Sequence, residues 1–117
     1  MKVSKLKYKI KNFFKKSFYR NVNSITYLEA KEIIKKENKT VLLDVRSLQE
    51  YREYHLAGGI CIPLYELNAK IQDVIQDKDI PIIIYCQTGS RSNRAVKILK
   101  ELEYENIYEI KGGLDNL

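Results

Sequence analysis

Cys86-Gln87-Thr88-Gly89-Ser90-Arg91-Ser92 brings a thiol, a glycine, an arginine and three hydroxyls together within seven residues. That is a composition able to hold a sulfur nucleophile. The apolar run Ile82-Ile83-Ile84-Tyr85 leads straight into Cys86 after Pro81, which fits a strand buried on both faces and sets the thiol at its carboxyl end. From Ser92 onward Ala95, Val96, Ile98, Leu99 and Leu102 recur at helical spacing, so Cys86 to Arg91 is predicted to be the loop between strand and helix. Successive backbone N–H groups in such a turn form an anion-binding nest, and the positive end of the following helix adds to it. A thiolate, or an anionic group bound beside it, is stabilised in that setting. Gly89 supplies the freedom that a loop curling round one atom needs. A cysteine chosen only for its size at a buried strand end would explain neither the glycine, the arginine nor the turn.

The elements that must position this loop alternate along the chain. After a short strand at Asn23 to Ile25, Thr26-x-x-Glu29 forms a capping box, and Leu28, Ile33 and Ile34 mark a helix ending near Asn38. Val41 to Val45 is the next strand, and a second capping box, Ser47-x-x-Glu50, opens a brief helix through Glu53. Ile60 to Ile62 reads as a strand closed by Pro63. Leu67, Ile71, Val74 and Ile75 then predict a helix before Asp77, and Ile107 to Ile110 is the last strand. Strands alternating with helices imply an α/β domain on a mainly parallel central sheet flanked by helices.

A chain of 117 residues, 44% of them hydrophobic, holds one core and one domain. Two cysteines, Cys61 and Cys86, make no disulfide framework, and the chain reads as reduced and cytoplasmic. No apolar run approaches the length of a membrane span. The formal charge of +6 is unevenly placed: residues 1–20 hold eight Lys/Arg and no acid, leaving 13 basic against 15 acidic residues in 21–117. Val3, Leu6, Ile10, Phe13, Phe14 and Phe18 share one helical face of that segment. Residues 1–20 are therefore expected to be a basic amphipathic helical arm attached to a domain of residues 21–117, with an anionic membrane surface as a candidate partner and the domain's own flank as the alternative. No secretory h-region is present. Nucleic acid is not expected, because no recognition motif accompanies the charge.

The loop Cys86-Gln87-Thr88-Gly89-Ser90-Arg91-Ser92 resembles the active-site loop C-x-x-G-x-R-[ST] of single-domain rhodanese-like sulfurtransferases. Upstream, Leu43-Asp44-Val45-Arg46 with Glu50-Tyr51, then His55-Leu56-Ala57-Gly58-Gly59-Ile60 and Ile62-Pro63-Leu64, is similar to that family's D-V-R, E-[FY] and G-H-I-P-G-A-x-x-I-P segments. Ile110-Lys111-Gly112-Gly113-Leu114 resembles its closing hydrophobic-x-G-G segment. The likeness runs from about Ser24 to Leu114. Tyr54 stands where the family has glycine and Ala57 where it has proline, and the aromatic-bearing last helix common in the family is shortened.

The resemblance implies a rhodanese-like fold and sulfur transfer without a cofactor. Cys86 would attack the outer sulfur of a small donor such as thiosulfate or a polysulfide, become a persulfide, and pass the sulfur to cyanide, a thiol or a protein's cysteine. The amides of Gln87, Thr88, Gly89, Ser90, Arg91 and Ser92 would hold the anionic sulfur, a role that needs no general base, while Arg91 would supply positive charge or brace the loop. Asp44 and Arg46 are expected to support the loop through hydrogen bonds and an ion pair. His55, the only histidine, matches a structural position of the family.

Three other readings compete. A Cys-dependent phosphatase or arsenate reductase would use C-x₅-R, one residue more than separates Cys86 from Arg91 here. A persulfide carrier or binding module would keep the same loop without independent turnover. Cys61 would resolve a persulfide on Cys86 only if the two lay within bridging distance, and a small residue filling a buried strand is the simpler account. One histidine and two separated cysteines match no zinc-ligand spacing, so no metal is expected.

Overall fold

The computed structural model describes residues 24–117, so the basic segment 1–20 lies outside the described residues. Five strands form one sheet: β1 (Ser24–Ile25), β2 (Val41–Asp44), β3 (Ile60–Cys61), β4 (Ile82–Tyr85) and β5 (Ile107–Ile110). Their spatial order is β1-β5-β4-β2-β3. Every pairing is parallel, with Leu43 opposite both Ile60 and Ile84, and Ile84 opposite Glu109. Four helices connect them: α1 (Tyr27–Lys36), α2 (Leu48–Glu53), α3 (Leu64–Val74) and α4 (Ser90–Glu101). The expected mainly parallel sheet is thus wholly parallel among the described residues.

β4 sits at the middle of the order, and its sequence says why. All four of its residues are fully buried, which only a strand covered on both faces and paired on both edges allows. Alternation along the strands divides the core. Leu43, Ile82, Ile84 and Cys86 pack with Leu67 and Ile71 of α3 and Ala95 and Leu99 of α4. Leu42, Ile83 and Tyr85 face the other way, against Ala30 of α1 and Leu56. Truncating a residue such as Ile84 to alanine would cost roughly 2–5 kcal/mol from lost burial and the remaining cavity.

Both predicted capping boxes form. Thr26 accepts from the Glu29 amide while the Glu29 carboxylate accepts from the Thr26 amide, and Ser47 and Glu50 do the same at α2. The boundaries shift by a residue or two elsewhere: α1 stops at Lys36, and β2 and β3 end at Asp44 and Cys61, although the Val45 and Ile62 amides still bond to the Tyr85 and Asp44 carbonyls. One shift bears on chemistry. The loop after β4 is shorter than predicted, because α4 begins at Ser90 and not at Ser92. Gly89, at φ 101°, reverses the chain in a single left-handed step, so Ser90 and Arg91 already belong to the helix. Tyr54, in the family's glycine position, has extended backbone at φ −166°, a conformation any residue adopts. After β5 a 3₁₀ turn, Gly113–Asn116, folds back over the loop.

Candidate functional site

Cys86 lies one residue beyond β4, fully buried, with its side chain under the first turn of α4. An α-helix starts with amides that lack intrahelical partners, and a side-chain oxygen usually takes one of them. α4 has no such side-chain cap at Gly89. The cysteine takes its place: the Gly89 amide donates to Cys86 Sγ at 3.1 Å and the Ser92 amide at 3.3 Å. The sulfur is therefore held on the positive end of the helix by two converging donors, a preformed seat for negative charge.

The six amides from Gln87 to Ser92 do not all serve as expected. Because the helix starts early, the Ser90 amide turns to Thr88 Oγ1 at 3.4 Å, and the donors recorded to the sulfur are Gly89 and Ser92. Ser92 has a second function at the same atom. Its Oγ lies 3.5 Å from Sγ as acceptor of the thiol, 3.1 Å from the Gly89 carbonyl and 2.6 Å from Glu109 Oε2 as donor.

Arg91 reaches across to α2. Both of its terminal nitrogens donate to Glu50, at 2.7 and 3.0 Å, in a fork that ties the loop's far end to a neighbouring helix. Glu50 also closes its own capping box, and the guanidinium of Arg91 is the main reason its carboxyl is lowered from 4.5 to about 2. Of the two roles open to Arg91, the geometry displays the brace. Arg46 performs a matching task on the other side. Its guanidinium donates to both Asp44 oxygens, to the Tyr54 carbonyl at 2.5 Å and to Gln87 Oε1 at 3.3 Å. Asp44 and Arg46 are buried, and through Gln87 they reach the loop.

The loop's carbonyls are held from above. Leu114 and Asp115 in the 3₁₀ turn donate their amides to the carbonyls of Cys86 and Gln87, and Asp115 Oδ1 accepts from Gln87 Nε2 at 2.6 Å. Gly113 makes this approach possible: a Cβ there would stand 2.4 Å from the Cys86 carbonyl oxygen, and its φ is +65°. Beside the loop opens a cleft of about 480 Å³ lined by Arg46, Glu50, Glu53, Tyr54, Gln87 and Leu114.

The rhodanese-like domain pattern matches residues 26–117. The chain belongs to the rhodanese-like family. It is similar to the thiosulfate sulfurtransferase PspE of Escherichia coli (strain K12), 36% identical over 75 residues that cover 64% of this chain and 71% of that protein. It is also similar to the thiosulfate sulfurtransferase GlpE of Coxiella burnetii, 32% identical over 93 residues, 78% of this chain and 82% of that one. Among solved structures, a rhodanese-related protein of Thermoplasma volcanium superposes with a TM-score of 0.68 at 31% identity, covering 80% and 88% of the two chains. A rhodanese of E. coli solved with anions superposes with a TM-score of 0.61 at 35% identity, covering 67% and 91%.

Within this rhodanese-like domain the remaining candidates have partners of their own. The His55 ring stacks on Tyr51, with centroids 3.8 Å apart, and its Nδ1 lies 2.8 Å from the Tyr51 carbonyl. Cys61 is free, like Cys86, and is occupied with the Arg46 carbonyl. No group of metal-ligating side chains occurs among the described residues. Site contacts that escaped the sequence reading include those of Glu50 with Arg91 and of Glu109 with Ser92. For the second a signal existed, since Glu109 is the one charged residue in the strand Ile107–Ile110.

Proposed function

We propose that this protein is a sulfurtransferase that carries sulfane sulfur on Cys86. The observation that carries the proposal is the convergence of the Gly89 and Ser92 amides on one sulfur atom at the end of the central strand. Two fixed donors aimed at a thiolate lower the cost of its charge before any donor arrives, and they keep that charge neutralised while sulfur moves. The thiosulfate sulfurtransferases among the relatives support the same chemistry.

In the first half-reaction Cys86 thiolate attacks the outer sulfur of thiosulfate or a polysulfide. The donor's S–S bond breaks, its electron pair leaves with sulfite or the shortened polysulfide, and a new S–S bond makes Cys86 a persulfide. In the second, cyanide or a thiolate attacks the outer sulfur and the Cys86 thiolate returns. No proton moves in either step. Arg91 is occupied by Glu50 and does not ring the sulfur, which speaks against the oxyanion cradle a phosphatase needs.

Intact mass after incubation with thiosulfate or polysulfide tests the proposal. The expected result is a gain of one sulfur, removed by cyanide. A protein that gains none from either donor overturns it. Steady turnover of thiosulfate with cyanide separates an enzyme from a persulfide carrier.

A further inference from the structure

Sulfur transfer starts from a thiolate, and a thiol in the fully buried position of Cys86 has to pass its proton to something. The hydroxyl next to it leads outward. Ser92 Oγ is 3.5 Å from Sγ and 2.6 Å from Glu109 Oε2, and Ser92 is itself fully buried while Glu109, on β5, is half-buried. Three groups thus stand in line from the enclosed sulfur to a side chain that touches solvent. We propose that Glu109 is a positioning residue that accepts the Cys86 proton through the Ser92 hydroxyl.

The transfer balances within the chain. The S–H bond breaks and its proton goes to Ser92 Oγ, while the proton on Oγ goes to the Glu109 carboxylate. The result is a thiolate, an unchanged serine and a neutral carboxylic acid. The hydrogen bonds then run in reverse: Glu109 donates to Ser92 Oγ, and Ser92 donates to the sulfur beside the Gly89 and Ser92 amides. No charge is created, since a negative charge moves from a carboxylate to a sulfur that already has two donors.

The surroundings of Glu109 favour an acceptor of this kind. From β4 its register partner is Ile84 and from β1 it is Ser24, so neither flanking strand places a charged side chain opposite it. On α4 it meets Ser92, and Arg91 is held by Glu50. In the closing turn Asp115 is bonded to Gln87. Burial raises the Glu109 carboxyl above its ordinary value, opposed by the Ser92 hydrogen bond, and a carboxyl so raised keeps a proton more readily.

The inference rests on the sulfur-transfer reading for its purpose, but its test does not involve sulfur transfer. Ultraviolet thiolate absorbance of the full chain is followed in time after a rapid upward jump in pH, with Cys86→Ser subtracted. The fraction of thiolate finally reached does not depend on the route the proton takes, whereas the rate of its appearance does. In Glu109→Gln the rate is expected to fall by roughly a hundredfold, and Glu109→Asp restores part of it. Ser92→Ala, which cuts the link and leaves both ends in place, gives the same slowing. A carboxylate that merely repelled the thiolate would lower the final fraction, and its removal would raise that fraction without slowing the approach to it. An unchanged or faster rate in either folded variant overturns the proposal.

Discussion

Cys61 and Cys86 stand at the carboxyl edge of the same sheet, with β2 between their strands, and face opposite chemical surroundings. Asp44 on β2 is register partner to Cys61 on one side and to Tyr85, the residue before Cys86, on the other. Cys61 Sγ donates to the Arg46 carbonyl at 3.5 Å, and burial, then the Asp44 carboxylate, pushes its thiol up to about 11. Cys86 Sγ receives two amides. Cys61 is given an acceptor alone, whereas Cys86 has two amide donors besides the Ser92 hydroxyl, so two strand-end residues of the same type are prepared for opposite fates. Position at a strand end is thus insufficient for reactivity. What matters is whether a helix begins over the sulfur.

The largest effect should follow from exchanging the two roles. Cys86→Ser is expected to abolish the sulfur gain and to lower turnover by roughly a thousandfold or more, whereas Cys61→Ser keeps the gain. Persulfide on Cys61 in the native chain would dissolve the contrast. Next in size is the seat itself. Gly113→Ala forces a Cβ into the Cys86 carbonyl at φ +65°, and the backbone conformation alone costs about 1–3 kcal/mol. Melting should fall and the mass gain drop sharply, while a variant with native melting and full gain would remove the closing turn from the argument.

Alkylation compares the two thiols directly. At neutral pH Cys61 should react slowly, its rate climbing as pH approaches 11, and peptide mapping would read it. Fast labelling of Cys61 at pH 7 would contradict its acceptor-bound description. The smallest effect concerns the brace. The Glu50 carboxyl is depressed from 4.5 to about 2 by Arg91, so the pair's contribution is complete above 4.5 and is lost as pH falls through about 2. Glu50 and Arg91 are each about a third exposed, which limits that contribution to about 1 kcal/mol. Glu50→Gln should flatten the stability profile within this window and leave it parallel above, and an unchanged slope would show that the pair is screened by solvent.

Local features were readable before any coordinates. Continuous apolar residues marked β4, two Ser/Thr-x-x-Glu boxes marked helix starts, and Gly89 marked the turn, because each reports on neighbours within four residues. What the sequence hid is long-range. Glu50 was read as the capping residue of α2, and its second carboxylate oxygen gave no sign of Arg91, 41 residues away. Glu109 could meet Ser92 only once β5 had been set beside β4, an order that pattern alone does not fix. The start of α4 was misplaced for a related reason: the apolar period begins at Ala95, whereas the first turn is held by a sulfur atom and carries little apolar signal of its own.

The closing turn also dictates when the site comes into being. The carbonyls of Cys86 and Gln87 find their partners in Leu114 and Asp115, and Ser92 finds Glu109 on β5. These contacts span 17 to 28 residues and belong to β5 and the turn that follows it. With β2, β3 and β4 paired but β5 absent, the loop that carries Cys86 would lack its clamp. Contacts of this separation are formed at a cost in loop-closure entropy, so competence is a property of the assembled fold, acquired when β5 and the turn after it dock.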